Sequence, residues 1–576
     1  MFPHVNRSGG HEYLRILETY YDDHRRHKQR VIANLGRLDR IAHKLGDLAK
    51  DIARFSEERL VSVSKIRAVA CVPWGPVLLA RHLWDELGLG GIIRSRCRSH
   101  HRGFDVAEAA FVLVANRLSH PGSEHALARW LENTYVPAAN GRRWLPQWLP
   151  ADRITADQRV RVQDRQLQHW YRTLDALLAA KCGIEQDLHC RVQDLFTQKV
   201  DMVFYDVTSV YFERRRPKGM RRHGYSRDGC PRNVQVVLGV VMANGWPIAH
   251  YVFPGDTADK KTLQSTVADV VARFELGHVL IVADRGMVDD ENLAFLRADG
   301  RELRYLMAIP GRRSDEAAAV LAKLADDAWL VVDERNRVQH VQLDDPAVHH
   351  FVVDSAERKA TEQDLRERDM QATAAALQKI ADTVAAGKLR QPDKIAVRVQ
   401  HALAARHGAR YYSWQIADGR LRFFEDDEKM KAELAREGKY ILKTDDPAIT
   451  PVEAVGIYKQ LSDVEWAYRD LKDVIQMRPI YHKTDPRALA HIFVATLALF
   501  LKRTLEHRLA DAAVKLTPTE AFEAMKSIGA SVLDLEGENR VLTSGGGRDA
   551  RRIVKALGIP DIDPPQPEKV TEMSHR

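Results

Sequence analysis

Residues Met202–Phe212 read MVFYDVTSVYF, which is the pattern of a β-strand that carries a single carboxylate. Valine, tyrosine, phenylalanine and threonine favour strands, and the side chains of a strand alternate between its two faces. Asp206 is therefore expected to share a face with Phe204 and Thr208. A single acidic residue at a strand end is often a turn or a helix cap, so its meaning depends on the sequence around it.

The sequence around this strand predicts a mixed α/β sheet. The runs Val234–Met242 and Ile248–Phe253 have the pattern of a second and a third strand, and Asn244-Gly245 between them is a strong hairpin signal. A helix, a buried strand, a helix and a strand are predicted next, at Ala258–Phe274, Val279–Ala283, Glu291–Leu296 and Arg304–Ile309. Three meandering strands followed by helix–strand–helix–strand is the order of an RNase H-like sheet.

A second aspartate, Asp284, ends the buried run Val279–Ala283 and precedes Arg285-Gly286, where a turn must begin. In a sheet of this order the first and fourth strands are neighbours, so we expect Asp206 and Asp284 to lie side by side. Two unpaired carboxylates that close repel each other unless a divalent cation neutralises them. The pair therefore indicates a metal site more strongly than either residue alone.

A third acid is predicted on a helix that begins at the capping box Thr450-Pro451-Val452-Glu453. Tyr458, Glu465 and Lys472 are spaced by seven residues, which places them on one stripe of a helix. Two strand-end aspartates and a helical glutamate are a recurrent way to hold two Mg²⁺ ions for phosphoryl transfer on nucleic acid. A solvated charged face is the alternative interpretation, and the spacing alone leaves both open.

With 576 residues the chain is too long for one core, and composition shifts divide it into six regions. The helical second region fits either a DNA-end-binding unit or a plain scaffold. The predicted regions are an N-terminal β-hairpin and helix (1–66), a helical region (67–199), a first catalytic part (200–311), a β-rich insertion domain (312–438), a second catalytic part with the glutamate helix (439–510), and a C-terminal helical region with a disordered tail (511–576).

The charge balance gives a mild indication of a polyanionic partner. Lys and Arg total 87 against 79 Asp and Glu, for a net charge of +8. Basic runs at His24–Arg30, Arg94–Arg102 and Arg214–Arg232 are either solvated faces or DNA contacts. The last run follows the Asp206 strand directly, which favours a DNA contact there.

Cysteines and hydropathy indicate a cytoplasmic protein. The five cysteines are scattered without a C-x-x-C pair, so we expect free thiols in a reducing compartment and no zinc. No signal-peptide core is present at the N-terminus. The longest apolar run, Ile492–Leu501, is shorter than the ~20 residues that span a bilayer. We predict a nucleoid-associated cytoplasmic location and no membrane partner.

These stretches resemble the DDE transposases of bacterial insertion sequences, in the branch whose glutamate helix carries Tyr-x2-Arg-x3-Glu-x6-Lys and which has a β-rich insertion. This chain has Tyr458, Leu461, Glu465 and Lys472 at those positions, so Leu461 replaces the arginine. That replacement puts the family's arginine–phosphate contact in doubt, and Arg469 is a candidate substitute.

Further segments extend the resemblance from about Tyr13 to Leu501. Gly224–Asp228 followed by Gln235–Gly239 is similar to the family's G-x-S-K-D…Q-V-V-L-G segment. The order of the similar segments along the chain and the spacing between them both agree with the family. Other similar segments are Gln29–Gly36, Gly255–Asp259 and Arg478–His482.

The resemblance implies cut-and-paste transposition by two-metal phosphoryl transfer, with strand cleavage at the element ends and then 3′-OH strand transfer into target DNA. Asp206, Asp284 and Glu465 would hold two Mg²⁺ ions, for which Mn²⁺ substitutes. The implied partners are double-stranded DNA, as inverted-repeat ends and target, and a second copy of the chain in a homodimeric synaptic complex. The candidate DNA-binding residues are Tyr458, Lys472, Arg469, Arg285, Arg227, Arg221 and Arg222.

Two other functions remain open from the sequence. One is an RNase H-like, structure-selective DNA nuclease, against which the insertion and the Tyr–Glu–Lys helix argue. The other is an inactive copy that binds element ends and represses transposition, which Leu461 alone supports.

Overall fold

The computed structural model describes most of the chain. The predicted disordered tail lies largely outside the described residues, as does the end of the basic run Arg94–Arg102. The described ranges are 1–53, 55, 66–97, 104–137, 155–196, 202–276, 279–287, 289–298, 303–311, 314–535 and 538–565.

The N-terminus forms a three-stranded antiparallel sheet of β1 (Phe2–Ser8), β2 (His11–Tyr21) and β3 (His27–Arg37). Helices α1 (Leu38–Ile41) and α2 (Leu45–Ala53) follow. The predicted hairpin is confirmed as β2 and β3. Strand β1 was not predicted because its residues are mostly exposed and show no apolar alternation.

The second region is mainly helical, as predicted, but it opens with a strand. Nearly all of α5 is buried, and the Asp105 side chain caps it by accepting hydrogen bonds from the backbone N–H groups of Ala107 and Glu108. The elements are β4 (Ile66–Pro73), α3 (Gly75–Glu86), α4 (Leu89–Arg96), α5 (Val106–Ser119), α6 (Leu127–Glu132) and α7 (Ala156–Phe196).

A mixed sheet begins with the strand that carries Asp206. Its first three strands are antiparallel neighbours, and the first, fourth and fifth strands run parallel, so the predicted adjacency of the first and fourth strands is confirmed. The elements are β5 (Met202–Tyr211), β6 (Gln235–Ala243), β7 (Trp246–Pro254), α8 (Lys260–Phe274), β8 (Val279–Ala283), α9 (Asp290–Leu296) and β9 (Leu303–Ile309).

The stretch predicted as a β-rich insertion has more residues in helices than in strands, which corrects that description. Its alanine-, glutamate- and arginine-rich segment favours a long helix. The elements are α10 (Asp315–Ala322), β10 (Leu330–Asp333), β11 (Asn336–Gln342), β12 (His349–Ser355), α11 (Ala356–Ala385), α12 (Pro392–Ala405), β13 (Tyr412–Ala417), β14 (Arg420–Glu425) and α13 (Asp427–Arg436).

Three strands of this stretch join the large sheet through β15 (Lys439–Thr444), which pairs with β12 on one side and β9 on the other. The nine-stranded order is β10-β11-β12-β15-β9-β8-β5-β6-β7. The predicted boundary near residue 312 therefore does not separate two sheets.

The C-terminal region, predicted as helical, contains helices and also a hairpin that was not predicted and pairs with β4. The predicted capping box at Thr450 and Glu453 is confirmed. The elements are α14 (Pro451–Lys459), α15 (Ser462–Arg469), α16 (Asp485–Asp511), α17 (Pro518–Met525), β16 (Gly529–Leu535), β17 (Glu538–Thr543) and α18 (Arg548–Ala556).

The two faces of β5 pack into different cores. Val203, Tyr205 and Val207 belong to the core that includes residues of α8 and α9. Phe204 and Val210 belong to the core that includes residues of α15 and α16. Because side chains alternate along a strand, Asp206 lies on the same face as Phe204, toward α15.

Helix α16 is long and apolar enough to cross a membrane, and it is the one such helix in the described ranges. Its most apolar window is 94% buried inside the protein. The helix is therefore packed as a core helix.

A glycine in β6 provides a test of the packing beside Asp206. A Cβ at Gly239 would lie 2.6 Å from the Tyr205 hydroxyl, and the Tyr205 ring is fixed by burial and by a hydrogen bond to Thr262. We expect Gly239→Ala to lower the free energy of unfolding by about 1–3 kcal/mol, measured by urea denaturation. Gly456→Ala, in α14 with open space around it, is the control and should be neutral or stabilising. Equal effects of the two changes would contradict this packing.

Acid should destabilise the protein through His189 on α7. This ring packs against Phe274, its Nε2 has no hydrogen-bond partner, and burial lowers its pKa from 6.5 to about 4. A histidine that stays neutral in the fold contributes stability above pH 6.5, which is lost as the pH falls toward 4, by about 3 kcal/mol. We expect His189→Leu to lose less stability than the parent between urea denaturations at pH 7 and pH 4.5. An unchanged loss would exclude His189 as the cause.

Candidate active site

Asp206 and Asp284 lie opposite each other on neighbouring strands. Strands β5 and β8 are parallel, with Tyr205 opposite Ala283, so the next residues in register are the two aspartates. Val282, like Phe204, belongs to the core on the α15 side, which places both carboxylates on that face. Both aspartates are half-buried.

The charges around this pair suit a cation. Burial, with the nearby Asp284 carboxylate adding to it, raises the pKa of Asp206 to about 7. Arg227, whose charge acts on Asp206, is engaged with Asp259 through a contact of 2.5 Å from Nη2 to Oδ2. Carboxylate oxygens are the ligands that Mg²⁺ prefers, so this donor set fits the ion.

Helix α15 is attached to the sheet directly at Asp206. The Tyr468 hydroxyl donates a hydrogen bond to the Asp206 carbonyl oxygen and accepts one from the backbone N–H of Val240 at 3.0 Å. Glu465 lies about one turn earlier on this helix, and its side chain is exposed.

The three carboxylates do not form a closed cluster. Within the described residues, one group of potential metal ligands has all its ligand atoms within 4.8 Å of one another. That group contains none of these three carboxylates. Strand register places Asp206 and Asp284 side by side, while Glu465 is exposed on the helix that packs over the same face.

The predicted seven-residue stripe does not run along one continuous helix, which is a correction. Helix α14 ends at Lys459 and α15 begins at Ser462. A π-helical turn, Asp470–Val474, then follows α15 and carries Lys472. The three stripe residues therefore lie on three successive short segments.

Tyr458 and Lys472 nevertheless both reach the carboxylate face. The Tyr458 hydroxyl donates to Asp284 Oδ1 at 3.1 Å. Lys472 Nζ donates to Thr208 Oγ1 at 2.6 Å and to Asp228 Oδ1 at 2.8 Å. Lys472 is therefore held by protein groups in this structure.

Asp228 ends the family-like segment Gly224–Asp228, but it was not among the predicted site residues. Its side chain is only 3% exposed, and it also contacts Arg478. Its partner Lys472 lies 244 positions away, so no local pattern could have identified the pair.

Leu461, at the position of the family's arginine, is buried and packs in the core with Val464 and Leu471. It fills apolar space inside the protein. Arg469 is exposed and lies over the ring of Trp466, with 4.8 Å from its guanidinium carbon to the ring centroid. An exposed cation and an exposed aromatic ring therefore flank Glu465.

The four remaining candidate arginines differ in exposure. Arg221 is 4% exposed and donates to Asp485 at 3.1 Å, so it is a buried ion-pair partner in this structure and not an accessible cation. Arg222 is exposed and 3.6 Å from Asp256, and Arg227 is paired with Asp259 as described. Arg285 begins a 3₁₀ turn after Asp284, but its side chain lies outside the described residues.

An open cavity of about 390 Å³ extends to Gly286, two residues after Asp284, but its lining includes neither Asp206 nor Asp284. Its lining includes Arg227, Asp259 and Gly286, and also Tyr225, whose side chain is exposed. It joins the loop after β5 to the turn after β8.

Comparisons with known proteins add one match by sequence. A search of curated proteins finds no match. A solved piggyBac transposase synaptic complex with hairpin DNA is similar over 78% of this chain and 79% of that chain, at 10% identity and a TM-score of 0.35, a likeness too weak to assign a fold family. Residues 3–65 match the family model of the IS1634 family transposase, N-terminal domain. This match supports an insertion-sequence transposase.

Proposed function

We propose that this protein is a DDE transposase that cuts its element from DNA and joins it to a target by two-metal phosphoryl transfer. The observation that carries the proposal is the parallel register of β5 and β8, which ends with Tyr205 opposite Ala283 and so brings Asp206 beside Asp284, beneath the helix of Glu465. The N-terminal match to a transposase family supports it. An RNase H-like catalytic core agrees with the order of β5 to β9.

Each residue has a role that its contacts support. Asp206 and Asp284 would hold two Mg²⁺ ions, and Glu465 would complete the ligand set from α15. When bound, such ions activate the attacking oxygen and stabilise the leaving oxygen. Tyr458 orients the Asp284 carboxylate through its hydroxyl. Lys472 would exchange its contact with Asp228 for a DNA phosphate.

DNA would approach along the exposed basic and aromatic groups around this face. Arg222, Arg227 and Arg469 are exposed, and Trp466 and Tyr225 present open rings. Lysine and arginine contacts to phosphates make DNA binding strongly salt-dependent. Two copies would act together on the paired inverted-repeat ends and the target DNA.

The direct experiment uses the purified chain, a duplex with the inverted-repeat ends that flank the gene, a second target duplex, and Mg²⁺ or Mn²⁺. We expect cleavage at the element ends and joined products through the 3′-OH. Cleavage without joining would favour a structure-selective nuclease. End binding without cleavage under either metal would favour a repressor copy.

A further inference from the structure

A second group of ligand-type side chains lies away from the aspartates. Glu124, His482 and His491 each offer one ligand atom, and these atoms all lie within 4.8 Å of one another. All three side chains are buried, with exposures of 7%, 8% and 5%. Glu124 lies in the loop before α6, His482 shortly before α16, and His491 within it.

Two nitrogen–oxygen distances in this group are longer than charge-assisted hydrogen bonds and match the separation of zinc ligands. His482 Nε2 lies 3.4 Å from one Glu124 oxygen, and His491 Nδ1 lies 3.5 Å from the other. A charge-assisted hydrogen bond would be about 2.7–2.9 Å long. Two ligand atoms bound tetrahedrally to zinc at ~2.0–2.2 Å are about 3.3–3.5 Å apart. Moreover, the buried His482 Nε2 has no hydrogen-bond partner.

The surroundings of His491 resemble those of a metal ligand. Its Nε2 is 3.1 Å from the Met477 carbonyl oxygen, so the Nε2–H donates there and Nδ1 keeps its lone pair. A histidine that binds metal commonly donates its other N–H to a backbone carbonyl in this way. Arg117 Nη2 lies 3.1 Å from His491 Nδ1 and 3.9 Å from Glu124. Metal binding therefore requires this guanidinium to turn from His491 toward Glu124.

We propose that Glu124, His482 and His491 bind a zinc ion. Two imidazoles and a carboxylate suit a borderline-soft dication, and cysteine spacing could not reveal a site built without cysteine. A cavity of about 460 Å³, which Glu124 and His482 line together with His125, Tyr171 and Lys483, leaves room for water or another small ligand at the fourth position. The site is separate from the proposed Mg²⁺ carboxylates and does not depend on them.

The ion would brace the end of the strand that carries Asp206. Ile480, two residues before His482, accepts a hydrogen bond from Glu213 N–H and donates its own N–H to the Tyr211 carbonyl at the end of β5. Zinc at this site would link the loop before α6, the segment beside β5 and α16. It would thus fasten the helical second region to the carboxylate-bearing sheet.

The test uses the full chain after chelator treatment, titrated with Zn²⁺ against a competing dye and with Co²⁺ followed by its visible absorption. The parent should bind one equivalent and show the intense bands of tetrahedral Co²⁺. His482→Ala and Glu124→Gln should each weaken binding by at least ~100-fold. His125→Ala, which alters the same cavity outside the ligand group, and Asp206→Asn should bind like the parent.

Melting curves separate folding from metal loss. His482→Ala should still melt in one cooperative transition, at a lower temperature than the zinc-free parent because a buried ring is removed. Added zinc should raise the melting temperature of the parent but not that of the variant. The proposal is overturned if the parent binds no zinc, or if folded His482→Ala and Glu124→Gln bind it as tightly as the parent. Neither outcome would bear on DNA cleavage at the aspartates.

Discussion

Asp206→Asn and Asp284→Asn should each reduce the rate of DNA cleavage by ~10³-fold or more, because both carboxylates would ligate the catalytic ions. Asparagine keeps the shape of aspartate but removes the charge that a cation requires. Binding to the element ends should persist, because it depends on other parts of the surface. Single-turnover cleavage and salt-dependent gel shifts measure the two effects separately.

Stability gives this prediction a second readout. Burial and the nearby Asp284 oppose the charge on Asp206, so its removal should leave the melting temperature at pH 8 unchanged or higher. Asp256→Asn is the matched control, since Asp256 lines the adjoining cavity but is an exposed partner of Arg222. Parent-like cleavage by either site variant, or loss of cleavage in the control, would remove the pair from the mechanism.

Glu465→Gln should abolish cleavage to a similar extent without changing stability. The side chain is exposed, so its replacement should alter the free energy of unfolding by less than about 0.5 kcal/mol. A loss of activity with unchanged melting would mark Glu465 as a ligand and not as part of a solvated helix face. Cleavage assays at matched DNA occupancy would measure the loss of activity.

The control is Asp463→Asn on the same helix. Asp463 is half-buried, and its nearest charged groups include Arg503 and Glu506, away from the strand ends. We expect it to retain cleavage. If instead Asp463→Asn fails to cleave and Glu465→Gln succeeds, the third ligand has been assigned to the wrong acid.

Local patterns were sufficient for the strands that carry the aspartates. The alternation in Met202–Phe212 and the Asn244-Gly245 turn predicted β5 to β7, and their order predicted the neighbour β8. The cap at Thr450 likewise predicted the start of α14. Each of these signals lies within a few residues of the feature that it predicts.

Features that depend on distant partners were missed. Strand β4 forms because it pairs with β16, whose residues lie far along the chain. Arg221 is in a basic run, but Asp485, 264 positions away, makes it a buried ion pair. The break between α14 and α15 falls at Gln460-Leu461, where the helical backbone tightens to three-residue hydrogen bonds and no glycine or proline signals the change.

Iron-directed cleavage of the protein chain tests the shared metal site most directly. Fe²⁺ in place of Mg²⁺, with ascorbate and peroxide, generates hydroxyl radicals that cut the backbone near the bound ion. The DNA-bound protein should give fragments that end near Asp206, Asp284 and Glu465, and excess Mg²⁺ should suppress all three cuts together. A common site would be contradicted if Mg²⁺ suppressed the cuts near the two aspartates but not the cut near Glu465. It would also be contradicted if Mg²⁺ suppressed none of the three cuts.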